Sequence, residues 1–171
     1  MRYRYLYAEP EQFSKNSRFF LLGTAEESSI LTSVVTNEQL LGQRLARYLR
    51  LEVDGRHYMR LGKTELVTRI NIGAGFALGD DQVLPFSGQF FVGGSNSIRA
   101  FRVRRLGPGR SDDFLQPDNA YSEQTGDLKI EANLEYRFPM IPYLKGAVFL
   151  DAGNIWLLRD PENETPGGVF A

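Results

Sequence analysis

The stretch Asp127–Phe138, DLKIEANLEYRF, alternates between polar and apolar residues without a break. Its even positions are Leu, Ile, Ala, Leu, Tyr and Phe, while its odd positions are Asp, Lys, Glu, Asn, Glu and Arg. Because successive side chains of a strand point to opposite faces, this period of two predicts a strand with one apolar and one charged face. Pro139 and Pro142 follow it and cannot donate to a ladder, so a tight turn is expected between them.

Segments before and after this strand follow the same period. Arg44–Leu61 and Leu66–Leu78 place apolar residues on alternate positions, and Gly62-Lys63-Thr64 between them is typical of a short hairpin link. A strand over Lys145–Trp156 continues the series after the prolines. With two weaker candidates the expected total is about six strands. These candidates are Arg2–Ala8 and Arg18–Ala25.

The composition excludes several classes of function. The chain has 171 residues with 20 Lys and Arg against 21 Asp and Glu, and this balance gives no basic surplus to attract nucleic acid. It has no cysteine and one histidine, which excludes disulfides, thiolate metal sites and multi-histidine metal sites. No apolar run approaches the ~20 residues of a membrane helix, and the opening residues lack the apolar core of a secretory signal. We therefore expect no metal and no cofactor.

The length of the strands and their charged second face decide the architecture. A soluble sheet turns its apolar face inward and seldom needs strands much longer than ~6 residues. A transmembrane barrel crosses with ~9–11 residues per strand, apolar outward and polar inward, with short turns on one side and long loops on the other. Tyr136, Phe138, Tyr143 and Trp156 cluster at the expected strand ends, as aromatic residues do at membrane interfaces. The sequence predicts an all-β, antiparallel transmembrane β-barrel, with a large soluble antiparallel sheet as the alternative.

Two further features concern the completeness of the barrel and its longest loop. The smallest bacterial barrels have about eight strands, and no closing strand is recognisable in Gly167–Ala171. We therefore interpret residues 1–171 as an incomplete, interior part of a larger barrel. One long loop covers about residues 93–125, is rich in Gly, Pro, Asp and Ser, and is expected to be functional or disordered. It carries Arg99, Arg102, Arg104, Arg105 and Arg110.

Two clusters of residues carry more specific information. The first is Phe91–Phe101, FVGGSNSIRAF, and the second combines the strand that ends in Phe138-Pro139 with Phe149–Gly153, FLDAG. Together they resemble the carboxy-terminal barrel of the outer-membrane assembly factors that carry POTRA domains, the BamA/TamA or surface-antigen family. Within that family, these residues are most similar to the TamA-like branch found in Bacteroidetes. The resemblance runs from about Arg44 to Val169.

The resemblance implies a contact between the two clusters. In that family a long extracellular loop folds back into the barrel lumen, and an arginine in its tip, Val/Ile-Arg-Gly-Phe/Tyr, pairs with the acid of a Phe-x-Asp-x-Gly motif on a later strand. Ala100 stands where the family has glycine, so a positive φ or a close backbone approach there would strain the tip. Carried over to this sequence, the tip and the strand motif comprise Ile98, Arg99 and Phe101, preceded by Gly93 and Gly94, and Phe149, Asp151 and Gly153.

The parity of the last strand is compatible with that contact. Asp151 falls on the charged parity, so its carboxylate is expected in the lumen, where Arg99 could form a bidentate fork that lysine cannot reproduce. The alternative is that Arg99 is one of several solvated loop arginines and Asp151 an ordinary lumen charge. The other charged residues of the neighbouring strand are interpreted as a lumen wall and not as catalytic groups. They are Lys129, Glu131, Glu135 and Arg137.

The resemblance implies a function without a chemical reaction. Family members help to insert other barrel proteins into the bacterial outer membrane or to export substrates. The expected partners are outer-membrane lipid, unfolded outer-membrane proteins and periplasmic or inner-membrane assembly subunits, and not nucleic acid. The family's POTRA domains are not recognisable in this sequence. Two alternatives stay open: a passive porin or receptor barrel whose arginine-rich loop filters anions, and a soluble β-domain enzyme.

Overall fold

The computed structural model describes residues 1–8, 16–28, 39–40, 43–44, 46–78, 83–110, 123–159 and 167–170. Within these ranges no helical segment has the length and hydropathy of a membrane span. The regular elements are strands. In chain order they are β1 (Arg2–Ala8), β2 (Ser17–Ser28), β3 (Gln39–Leu40), β4 (Gln43–Arg44), β5 (Tyr48–Leu61), β6 (Thr64–Ala77), β7 (Leu128–Ile141) and β8 (Leu144–Trp156).

Six of these strands form one antiparallel sheet in the order β1-β2-β5-β6-β7-β8, and β3 and β4 pair separately. Strands that follow each other along the chain are neighbours in the sheet, apart from the short β3–β4 pair inserted between β2 and β5. Each pairing is antiparallel. This confirms the all-β, antiparallel architecture that the period of two predicts.

The expected strand boundaries are correct to within a few residues, with one instructive error. Pro139 lies inside β7 and pairs with Lys145, so the turn consists of Pro142 and Tyr143 alone. The β6–β7 pairing stops at Arg137, and the β7–β8 register shifts between Pro139 and Ile141. A proline is tolerated at such an edge or irregularity because its missing N–H breaks no ladder bond there.

The two faces of the sheet are inverted relative to a soluble protein. Ile70, Leu134 and Leu150, on the apolar parity of three strands, are 57%, 41% and 68% exposed. Asn71 and Glu131, on the polar parity, are 1% and 2% exposed. A soluble sheet would bury the first group and expose the second. Apolar residues outward and polar residues inward are instead the arrangement of a transmembrane barrel wall.

The stagger of the two tight hairpins gives the inclination of the strands. The last β6–β7 pair is Glu65–Arg137, and its register extended by one residue aligns Thr64 with Phe138, so the β7–β8 hairpin extends three residues further, to Ile141, before it turns. Three residues correspond to about 10 Å along the strands, and the two hairpins lie about 10 Å apart across the sheet. If both turns lie at the same level, the strands are tilted by roughly 45°, which agrees with the ~35–45° of transmembrane barrels.

The long connection between β6 and β7 folds back over the polar face of the sheet. Its described parts, residues 83–110 and 123–127, join the sheet through a bridge between Phe90 and Gly126. The apolar side chains of this connection pack against the carboxy-terminal end of β8 and form the small buried core. That core consists of Phe90, Val92, Ile98 and Ile155, with Leu106 packed against it. The loop therefore covers the polar face, and its tip is brought to the charged residues of β7 and β8.

Candidate functional site

The tip of the long loop is fixed to β8 by a fork of hydrogen bonds. Nε of Arg99 donates to Oδ2 of Asp151 at 2.9 Å, and Nη2 donates to Oδ1 at 2.8 Å. The backbone N–H of Arg99 donates to Oδ2 as well, at 3.0 Å. The Asp151 side chain is only 4% exposed. This paired geometry is the strong form of a charge-assisted contact, because both oxygens of the carboxylate are engaged.

Two more groups hold the guanidinium of Arg99. Its Nη1 donates to Glu135 of β7, and its Cζ lies 3.7 Å from the centre of the Phe149 ring. The ring face attracts the cation and shields it from water. Hydrogen bonds, first of all to Asp151, hold the pKa of Arg99 above its ordinary value, so the group stays charged. One loop residue thus bridges β7 and β8.

Asn133 of β7 joins the same site from the neighbouring position. Its Nδ2 donates to Oδ1 of Asp151 and to the backbone carbonyl of Ser97, both at 2.9 Å. The hydroxyl of Ser97 donates to Glu131 and accepts the backbone N–H of Gly93 at 3.0 Å. The loop is therefore tied to β7 through its backbone and a side chain in addition to Arg99.

Arg69 of β6 supplies a second attachment of the loop to the sheet. Its Nη1 donates to the carbonyl of Asn96 at 2.8 Å, and its Nη2 donates to Asp54 of β5 at 2.7 Å. Asp54 also accepts a pair of hydrogen bonds from Arg56, at 2.9 and 3.0 Å. Three loop residues within four positions, Asn96, Ser97 and Arg99, are consequently held by β6, β7 and β8.

Ile98 and Gly153 bring the loop and the sheet into close contact. Ile98 is buried, and its Cδ1 would lie 3.1 Å from a Cβ atom added at Gly153. The same Cβ would lie 2.5 Å from the carbonyl oxygen of Ile130 and 2.9 Å from the Cα of Glu131. These backbone atoms cannot move aside without disturbing β7, so the position requires a residue without Cβ.

The remaining residues of the tip form a closed turn. Gly93 and Gly94 have φ angles of +101° and +92°, and a Cβ at Gly93 would collide with the carbonyl of Arg102. The N–H of Gly94 donates to the carbonyl of Phe101 at 2.9 Å, while the side chain of Phe101 is exposed. Phe101 therefore contributes its backbone to the turn.

Ala100 does not strain the tip. Among the described residues other than glycine, Arg104 alone has a positive φ, of 58°. Ala100 is also exposed. Position 100 therefore requires neither a positive φ nor a close backbone approach, and an alanine is not costly there.

The structure adds residues that the sequence did not single out for the tip contact. Glu135 and Glu131 were interpreted only as wall charges, and Asn133, Ser97 and Arg69 were assigned no role. The odd positions of β7 include Glu131, Asn133 and Glu135. Their parity puts them on the same face of the sheet as Asp151, so the sequence already indicated that they lie close to it. The contact of Arg69 with the loop could not be read from the sequence, because it is made to the backbone carbonyl of Asn96. Within the described ranges no cluster of three or more His, Cys, Asp or Glu could hold a metal ion.

These features define a class of protein: a β-barrel wall with an apolar exterior and a polar interior, onto which a long loop is fixed by a buried arginine–aspartate pair. Residues 28–170 match the family model described as the Omp85 superfamily domain. The chain belongs to the Omp85 superfamily, whose members are bacterial outer-membrane proteins of protein insertion and translocation. The match confirms the expected family. The narrower assignment to the Bacteroidetes branch stays a prediction.

Proposed function

We propose that this chain forms part of the barrel wall, with its long loop, of an outer-membrane factor. This factor assists the insertion of other outer-membrane proteins or the translocation of substrates. The observation that carries the proposal is the loop tip held inside the barrel by Arg99, Asp151 and Glu135. The family match supports it, because insertion and translocation are the activities of that family in general.

The contacts suggest a mechanical role for the loop. Arg69, Asn133 and Asp151 lie on β6, β7 and β8, and each holds a residue of the tip. The loop therefore acts as a brace across three neighbouring strands. A brace of this kind keeps one part of the wall rigid while strand pairing elsewhere in the barrel changes, as insertion of a new barrel protein requires.

The chemistry of the site supports a role without catalysis. The carboxylates of Asp54, Glu135 and Asp151 are each paired with an arginine, which is the arrangement of charges that hold the loop and the wall together. The proposed location is the bacterial outer membrane. The proposed partners are its lipid, unfolded outer-membrane proteins and periplasmic or inner-membrane assembly subunits.

The geometry counts against an anion-filtering pore. The tip arginine, Arg99, is paired with Asp151 and Glu135 of the wall, so its charge is already balanced. Arg104 pairs with Glu123 and lies 4.8 and 4.6 Å from the ring centres of Phe86 and Phe91. A guanidinium held between two rings and a carboxylate is a structural contact, and its charge is already balanced.

The test is an insertion assay with the intact protein in liposomes. An unfolded outer-membrane barrel protein is added, and its protease-protected fraction is followed with time. We expect wild-type protein to speed insertion, Arg99→Ala and Asp151→Asn to slow it, and the exposed-arginine control Arg102→Ala to behave as wild type. The porin alternative would be favoured if liposomes that contain the wild-type protein conduct anions but the added barrel protein inserts into them no faster than into empty liposomes.

A further inference from the structure

The inward face of the sheet ends, at its two tight turns, in a patch of positive charge. The strand register continues the face of Asp54 to the row Arg60–Glu65–Arg137 across β5, β6 and β7. A cavity of about 270 Å³ lies beside this row. Because it lies on the polar face, its ligand comes from water and not from lipid. The charged side chains that line it, here called the cationic mouth, are Arg60, Lys63, Glu65, Arg137 and Lys145.

The carboxylate of the cationic mouth does not balance its positive charge. Glu65 lies 3.1 Å from Arg137 and 3.5 Å from Arg18, and Arg137 is also held by Glu135 at 2.5 Å. The other three cations are exposed, and they form no ion pair with any residue that the structure describes. Like charges around one cavity repel each other, so acidic groups placed among them would remove that repulsion. The three cations are Arg60, Lys63 and Lys145.

A second cavity lies between the cationic mouth and the loop tip. It measures about 390 Å³, and Arg137 lines both cavities. Ser95 and Asn96 of the tip line it with exposed residues, whose side chains make no hydrogen bond within the described ranges. Hydroxyl and amide groups can both donate and accept, as the N–H and C=O groups of a peptide backbone require. The inward wall therefore offers neutral polar groups near the tip and cations near the turns.

The distance between these two sets of groups indicates which ligand fits. Arg69, which holds the carbonyl of Asn96, and Glu65, which pairs with Arg60 in the register, are four residues apart on β6. Four residues correspond to about 13 Å along a strand, which a single phosphate or sulfate ion cannot span. An extended polypeptide covers the same distance with about four residues. Its acidic side chains on alternate positions all fall on one face, where they can meet the cations.

We propose that the cationic mouth binds an acidic segment of the unfolded polypeptide on which the protein acts, as this segment enters the lumen. Its carboxylates pair with Arg60, Lys63 and Lys145, and its backbone bonds to Ser95 and Asn96. The short turns of outer-membrane barrels face the periplasm, so the segment arrives from that side. A concave surface lined by one sign of charge also speeds the encounter with an oppositely charged partner. The inference rests on the proposed function, because it takes the occupant to be the substrate of insertion or translocation.

The experiment measures peptide binding by the intact protein in an uncharged detergent at low ionic strength. The probe is an extended peptide in which Glu alternates with Ser, labelled with an uncharged fluorophore, and binding is followed by fluorescence anisotropy. We expect wild type to bind this peptide, to release it as salt is added, and to leave the matched peptide of Gln and Ser unbound. The triple variant Arg60→Gln, Lys63→Gln, Lys145→Gln should bind about tenfold more weakly. The single variant Lys63→Gln, on an exposed turn, should bind less weakly than the triple variant and carries no risk to folding.

Matched variants separate the cationic mouth from net charge and from a binding site for free anions. Arg102→Gln, Arg110→Gln, Arg159→Gln removes the same number of exposed cations at the long-loop end and should leave the affinity unchanged. Ser95→Ala should weaken peptide binding. Unchanged affinity in the mouth triple variant, an equal loss in the control, or equal binding of the Gln peptide would overturn the inference. Inorganic tripolyphosphate that binds as tightly as the acidic peptide, with Ser95→Ala without effect, would assign the cavity to a soluble anion and overturn it as well.

The liposome assay distinguishes failure of this inference from failure of the proposed function. Accelerated insertion by wild-type protein that binds no acidic peptide would overturn the inference alone. Peptide binding that depends on the three cations, without any accelerated insertion, would contradict the proposed function and still support the cationic mouth as a polypeptide site.

Discussion

Arg99 and Asp151, 52 residues apart in the chain, meet through two parallel hydrogen bonds of 2.9 and 2.8 Å. The pair joins the tip of the long loop to β8, which the loop also contacts through the packing of Ile98 and Ile155. Its acid is almost fully buried, and the guanidinium is further held by Glu135 and by the ring of Phe149. Breaking such a pair is costly because it leaves a buried charge without its partner.

The fork itself is tested by Arg99→Lys, which keeps the charge but cannot bond both oxygens of Asp151 in parallel. We expect the loop to dock more weakly by about 2 kcal/mol, the scale of a lost charge-assisted hydrogen bond. Limited proteolysis of the intact protein between Gly94 and Gln124 measures this, and cleavage should be faster. Arg102→Lys, at an exposed loop position, is the control. Equal cleavage of Arg99→Lys and wild type would show that the fork does not fix the loop.

Asn133 and Arg99 should act together because both bind Asp151. Asn133→Ala removes donors to Asp151 and to the carbonyl of Ser97, and we expect a cost of about 1–2 kcal/mol. In a double-mutant cycle with Arg99→Ala, read from urea unfolding midpoints, the two effects should be clearly less than additive. Arg104→Ala, whose partner is Glu123, should be additive with Arg99→Ala. Additivity in the first cycle would mean that Asn133 is not part of the brace.

The strands were predictable from the sequence because water inside and lipid outside impose a strict period of two. The partner of Asp151 was harder to predict. Counting back from the turn through the pair Ile141–Leu144 places Leu134 opposite Asp151. The irregularity between Pro139 and Ile141 shifts the register by one residue and places Asn133 there instead. Because a shift of one residue exchanges the two faces, only the requirement that polar side chains meet on the lumen side could have corrected the count.

The loop contacts show a second limit of what can be predicted from the sequence. Its several arginines are chemically equivalent, and spacing alone does not say that Arg99 reaches β8 while Arg104 stacks on Phe86 and Phe91. The family resemblance selected Arg99. The attachment of Arg69 to the carbonyl of Asn96 could not be foreseen, because it depends on the path of the loop backbone, which long-range packing determines.

Gly153 should tolerate no side chain. Gly153→Ala places a Cβ against the carbonyl of Ile130 and the Cα of Glu131, so β7 and β8 must separate or Ile98 must leave its site. We expect a loss of about 1–3 kcal/mol, typical of overpacking. The measurement is the heat-dependent gel mobility of the folded barrel. Gly23→Ala is a matched control in another strand, because its Cβ would meet only the Cβ of Tyr5, at 3.9 Å. Similar mobility shifts for both variants would contradict the close approach at Gly153.

Asp127, which directly precedes β7, should make stability depend on pH. Burial raises the pKa of this carboxyl group, and its Oδ2 accepts the N–H of Leu158 at 3.0 Å. Because the pKa is higher in the folded state, the stabilising contribution is complete below the ordinary value of 3.8 and is lost as the pH rises through the raised pKa. Asp127→Asn keeps a carbonyl acceptor without the charge. Its urea midpoint should exceed that of wild type at neutral pH and approach it in acid, and a pH-independent difference would contradict this assignment.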